Sequence, residues 1–427
     1  MRSSSMVFPN EEGGEGAAPK TLGNYPSTVA AFLRRVNGEH DLRRVVHGIK
    51  VGIALVLASI VAFITPAYNI FETDAVWAVM TVVVMFEFYA GAALSKGLNR
   101  AVGTLSGGML GCMSAVLAKL IDGKVGQDIG VGTAVFIFGA AATYVRSIPC
   151  IKRKYDYGGM IFILSFSLVA VSSVQFQSSK EILKTATERL QTVMIGFAAT
   201  IFTSLFIFPI WAGDELHVSI ASKFEHLACS MEGLLDTYFD AVADKESKGD
   251  GSCKSCRPVL NSKAKDESLA NFAKWEPWHR RFGLFYPWDK YLKVGELLRE
   301  LAATIVSLDV CVQSSRQPAG DLRQSIKEPC ELVASSLART LRELGESLMN
   351  MRRCQSDALV LRKLRSSWLV LRLYMSPTKL ENACNSGEDL AISTFVFLLT
   401  EMLEKLERLA NEVEELGELA KFKINDM

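Results

Sequence analysis

The sequence predicts an all-α protein, a transmembrane domain of six helices followed by a cytosolic helical domain. Three observations predict it. Six stretches approach the roughly 20 residues that cross a bilayer core while carrying almost no charge. Mean hydropathy is +0.20, high for a water-soluble chain. From Gly213 onward, apolar residues alternate with charged ones at amphipathic helical spacing.

Residues 1–42 form the first segment. The run 11–20 is dominated by Gly and Glu and buries too little apolar surface to fold alone, so a disordered N-terminal arm is expected. The arm has no apolar signal-peptide core, and its acids argue against a transit peptide. Insertion is therefore assigned to the first span.

The transmembrane domain is placed at 43–212, with spans at 51–67 (VGIALVLASIVAFITPA), 75–94, 101–118, 129–145, 158–176 and 193–210. Basic residues in short connections set the orientation. Arg34, Arg35, Arg43 and Arg44 precede the first span, Lys96 and Arg100 separate the second and third, and Arg146, Lys152, Arg153 and Lys154 separate the fourth and fifth. These segments should face the cytosol. The last outer loop, with Lys180, Lys184 and Arg189 against Glu181 and Glu188, fits least well. In the third span Gly103, Gly107 and Gly111 make a smooth strip, suited to close helix packing or to lining a pore.

The remainder, 213–427, reads as helical and cytosolic, with helices at 214–243, 288–308 and 388–422 and a Lys/Gly/Ser-rich mobile loop near 244–266. The segment WEPWH at 275–279 reads as a rigid turn packed on a helix. In the last helix Leu406, Leu409, Val413, Leu416 and Ala420 form a stripe, either a dimer contact or packing within one subunit. Cys253 and Cys256 form a CxxC, yet no second pair follows at zinc-ligand spacing.

Charge at membrane depth is costly, so each such residue is a candidate site. Lys50 shares a helix face with Arg43 and His47, and Glu87 is the single acid of the second stretch. An ion pair between Lys50 and Glu87 is expected at similar depth. Snorkelling to the headgroups is the bland alternative for Lys50, and for the pair it is a purely structural tie. Together with Lys96, Arg100, Arg146 and Lys152 they would form a basic cytosolic mouth, the usual means of selecting anions. Each negative charge leaving through 100 mV gains about 2.3 kcal/mol, so export needs no coupled energy source. The chain has no GxxxxGK[ST], GxGxxG after a strand, HExxH or GxSxG. Neither an enzyme nor a cofactor is expected. With 47 Lys and Arg against 46 Asp and Glu, no nucleic-acid partner is expected either.

Several segments carry a family resemblance. They are HGIKVGIAL at 47–55, AVWAVMTVVVMFEF at 75–88, GAALSKGLNRAVGT at 91–104, KYDYG at 154–158, WAGDELH at 211–217 and WEPWH at 275–279. In this order they resemble the plant aluminium-activated malate transporters, which are anion channels. The resemblance implies a homodimer in the plasma or vacuolar membrane, with the pore between subunits, conducting malate and other anions passively. It implies permeation roles for Lys50, Glu87, Arg146 and Lys152. Similar family members carry an arginine where this chain has Gln175, at the outer end of the fifth span; Lys180 could substitute. Strong aluminium dependence is not expected, because Glu72, Asp74, Asp122, Asp128, Glu181 and Glu188 are dispersed. Partners are thus malate and other small anions, membrane lipid and a second copy. Two rivals stand beside this: a coupled exporter of organic or aromatic acids, similar to bacterial fusaric-acid-resistance-like proteins, and a non-transporting scaffold.

Overall fold

The computed structural model describes residues 39–67, 76–175, 179–240, 255–279, 282–283, 285–313, 320–353, 366, 369 and 387–423. Two compact units divide the chain, Met1–Lys50 and Val51–Met427. Of the first, the described part is the opening of helix α1 (Glu39–Ala67). The arm as far as residue 38 lies outside the described residues. The all-α expectation holds: every regular element described is helical.

In the second unit, α2 (Val76–Met85), α3 (Ala90–Ala118), α4 (Lys124–Ser147), α5 (Pro149–Ser172) and α6 (Ser179–Phe206) form the apolar half. Four helical segments among the described residues are long and apolar enough to cross a membrane: Ala90–Ala118, Lys124–Ser147, Tyr155–Ser172 and Lys180–Phe206. The expected count was six. In α1 side chains are described only as far as Ile60. The stretch 75–94 is not one helix: α2 has 10 residues, about 15 Å at 1.5 Å each, half of a roughly 30 Å core. Residues 86–89 leave the helix, and α3 then runs unbroken through Lys96 and Arg100. The expected loop between second and third spans is therefore helical, and its charges sit on a helix face.

The glycine strip packs. A Cβ on Gly103 would come within 2.6 Å of the Gly158 carbonyl oxygen, and one on Gly107 within 2.5 Å of that of Phe162. Only hydrogen at these positions lets α3 and α5 lie backbone to backbone. The pore-lining alternative for the strip is thereby set aside.

The other half comprises α7 (Ala212–Asp240), α8 (Cys256–Leu260), α9 (Lys263–Ala273), α10 (Trp288–Gln313), α11 (Gly320–Asn350) and α12 (Gly387–Leu419) around one core. Of the expected loop at 244–266, residues 244–254 lie outside the described residues, and from Cys256 the chain is helical with Cys256 and Val259 buried. Leu406, Leu409, Val413 and Leu416 are buried in this core, so the α12 stripe packs within the subunit. One buried ionic group crosses it. Asp266 accepts from Lys223 at 2.5 Å and Arg299 at 3.0 Å, and burial pulls the Lys223 ammonium below its usual range.

WEPWH ties the halves together. The buried Glu276 carboxylate accepts the backbone N–H groups of Ala212 (2.6 Å) and Gly213 (3.1 Å), orphan donors of the first turn of α7. Burial nevertheless pushes its pKa up. The Phe272 carbonyl and the Glu276 side chain press on Gly91, the second residue of α3, leaving no room for a Cβ.

Candidate functional site

The break between α2 and α3 builds the site. In an unbroken helix Glu87 and Lys96 would be about 13.5 Å apart along the axis and on opposite faces. With 86–89 non-helical, Glu87 folds back and forms an ion pair with Lys96. The new start of α3 has no side-chain cap; the Ala90 N–H donates instead to the Ile210 carbonyl at 3.0 Å. One turn after Lys96 comes Arg100, 6% exposed. Its guanidinium donates to the Tyr157 hydroxyl on α5 at 3.3 Å and to Thr81 Oγ1 on α2 at 3.2 Å. The Thr81 hydroxyl donates its own proton to the Trp77 carbonyl at 2.7 Å, leaving its lone pairs for the arginine. Both partners of Arg100 are neutral, and its Nε has none among the described residues. Lys96 also lies 5.8 Å from the Tyr157 ring centroid, within cation–π reach.

Arg100 opens onto a cavity of about 480 Å³ between α2, α3, α5 and α6. Arg189 of α6 lines the same cavity, its guanidinium 5.2 Å from the Trp77 ring centroid. Elsewhere the walls are largely apolar, among them Leu105, Met109, Leu164 and Val193. Two guanidiniums beside an indole, in surroundings that screen poorly, suit a small anion.

The other expected site residues are placed differently. Arg146 holds Asp156 through two bonds, 2.5 and 3.2 Å, clasping the α4–α5 hairpin, and lines a second cavity of about 470 Å³ with Asn99, Ser106 and Tyr155. Lys152 is exposed in the first turn of α5. Lys50 is fully buried, its Nζ without a hydrogen-bonding partner among the described residues, while Glu87 takes Lys96. Lys50 was expected to be the partner of Glu87; the described ion pair of Glu87 is with Lys96. Gln175 ends the short 3-10 turn Ser173–Gln175; its side chain lies outside the described residues.

Sequence reading grouped Arg189 with an outer loop and overlooked Trp77, Thr81 and Tyr157. The signal was present: Arg189 lies well inside a 27-residue apolar segment, and charge at that depth marks a site.

A profile of the aluminium-activated malate transporter family matches residues 36–376. Among similar proteins, aluminum-activated malate transporter 2 of Arabidopsis thaliana is 40% identical over 394 residues, covering 91% of this chain and 77% of that protein. Transporter 12 of Arabidopsis thaliana is 42% identical over 323 residues, 75% of this chain and 57% of its own length. Transporter 1 of Triticum aestivum is 39% identical over 334 residues, 75% and 72% respectively.

Proposed function

This chain belongs to the aluminium-activated malate transporter family, and on that premise we propose that it is a passive channel for malate and other organic or inorganic anions in a plant membrane, plasma or vacuolar. The observation that carries the proposal is Arg100: a buried guanidinium, held among the described residues by neutral oxygens, opening onto a cavity that Arg189 shares.

On this reading anions are drawn inward by Lys50 and Lys152 and dehydrate partly at Arg100 and Arg189, while Arg146, tied to Asp156, contributes little. Glu87 moderates the field by cancelling Lys96. Helices α1 and α2 complete six spans per subunit, the C-terminal half lies in the cytosol, and two copies pair around the route. Downhill export suffices, because a dianion leaving through 100 mV gains about 4.6 kcal/mol. The test is current recorded from purified protein in planar bilayers under malate gradients. A reversal potential that follows the malate gradient and ignores an imposed proton gradient supports the channel. One that moves with the proton gradient makes the protein a coupled exporter. Silence from folded protein favours the scaffold.

A further inference from the structure

The loop 275–285 carries three exposed aromatic residues that the core does not use. Trp275 is 43% exposed, Trp278 75% and Phe285 fully exposed. Phe285 also adopts a left-handed backbone, φ +64°, a conformation that a phenylalanine rarely takes and that here turns its ring away from the domain. Leaving such rings in water is unfavourable.

Their position suggests what covers them. The preceding residues press on Gly91 in the first turn of α3, and Glu276 caps α7 immediately after α6 has ended. His279, next to Trp278, stacks on Trp211 with ring centroids 4.0 Å apart. Trp211 follows the end of α6 by five residues, across which Phe206 (72%) and Phe208 (73%) are exposed in their turn. Exposed aromatics therefore continue from the end of an apolar helix onto a loop that does not cross. The sequence sets Arg280 and Arg281 between Trp278 and Phe285. Tryptophan and phenylalanine at the edge of the hydrocarbon match the headgroup layer of a bilayer, and two arginines so near in sequence suit an anionic leaflet.

We propose that Trp278 and Phe285 form a lipid-binding anchor, seated in the phospholipid headgroup region beside the end of α6. This rests on the reading that α6 crosses the bilayer and leaves it near Phe206. Such an anchor fixes the height of the α6–α7 junction and, through Gly91, the start of the helix that bears Lys96 and Arg100.

The test is photocrosslinking of the full chain in vesicles of phosphatidylcholine and phosphatidylserine. One protein carries p-benzoylphenylalanine in place of Trp278 and another in place of Phe285. Phe202 within α6 (53% exposed) is the spanning control, and Phe397 on α12 (65% exposed) the water-facing one. Phospholipid adducts at 278, 285 and 202, found by mass spectrometry and absent at 397, are the expected result. Adducts at 202 without any at 278 or 285 overturn the anchor and leave the span standing. A chain-to-chain crosslink at 278 or 285 overturns it in favour of a subunit contact. No lipid adduct at 202 removes the span, and the anchor falls with it.

Discussion

Replacing Arg100 by glutamine tests the mechanism most directly. Glutamine retains a donor for Tyr157 or Thr81 and removes the charge. The cavity, about 480 Å³, places an anion within about 6 Å of the guanidinium if it occupies the middle. At an effective dielectric of about 40, between bulk water and a protein surface, a unit charge at that distance attracts a monoanion by about 1.4 kcal/mol and a dianion by about 2.8 kcal/mol. Removal should then lower chloride conductance about tenfold and malate conductance about a hundredfold, so the malate-to-chloride permeability ratio drops about tenfold. Bi-ionic reversal potentials measure that ratio without depending on expression level. Arg100→Lys should restore most of it. Arg146→Gln is the matched comparison: Asp156 already cancels that charge, and the ratio should change less than about twofold. Equal effects at the two positions, or equal losses of chloride and malate, would refute the assignment of selectivity to Arg100.

Other outcomes follow from the same geometry. Glu87→Gln releases Lys96 from its ion pair, so single-channel malate conductance should rise, opposite in sign to the Arg100 variant. Gly107→Ala brings a methyl against the Phe162 carbonyl and should lower the melting temperature in detergent; Gly108→Ala, with nothing within 4 Å, should hold or raise it, helix propensity adding up to about 1 kcal/mol of stability. In the C-terminal half Arg342 of α11 grips both Glu225 and Glu232 of α7; hydrogen bonds from Cys229 and then Arg342 hold the Glu225 carboxyl below the usual 4.5, and those from Arg342 hold Glu232 below it. Lowered carboxylates stabilise the fold above pH 4.5 and lose that contribution as pH falls through their folded values. Limited proteolysis of the α7–α11 pair should therefore accelerate in acid, and Arg342→Ala should flatten that pH dependence.

Much of the fold was legible because its causes are local. Long uncharged stretches mark the apolar helices, and the apolar period of α12 names the side chains its core buries. The break at 86–89 was not legible. Phe86, Glu87, Phe88 and Tyr89 contain no proline or glycine, and the α3 cap comes from Ile210, a carbonyl 120 residues away. Without the break Lys96 and Arg100 read as a loop, a natural consequence of counting basic residues as topological markers. Arg189 was misread for the same reason. Hydropathy averages over a window, so Arg189, even with Glu188 beside it, does not pull the segment below a spanning mean, whereas its field falls only as the inverse of distance. The residue types of the candidate site could be seen in the sequence; their partners, fixed by tertiary contact, could not.

Those partners change where selectivity should reside. A basic mouth at the cytosolic boundary would be worth little, because exposed charges are screened within about 8 Å at physiological ionic strength. Of the five basic candidates two spend their charge locally, Lys96 on Glu87 and Arg146 on Asp156, and Lys152 stands in the open. Arg100 differs from all three in being enclosed and, among the described residues, bonded only to neutral oxygens. Pairing it with a carboxylate would relieve the expense of burying a guanidinium and abolish its pull on a passing anion. Tyr157 and Thr81 accept from two of its donors without cancelling its charge, which is the arrangement a conduction site requires: enough stabilisation to fold, and a field left over for the substrate.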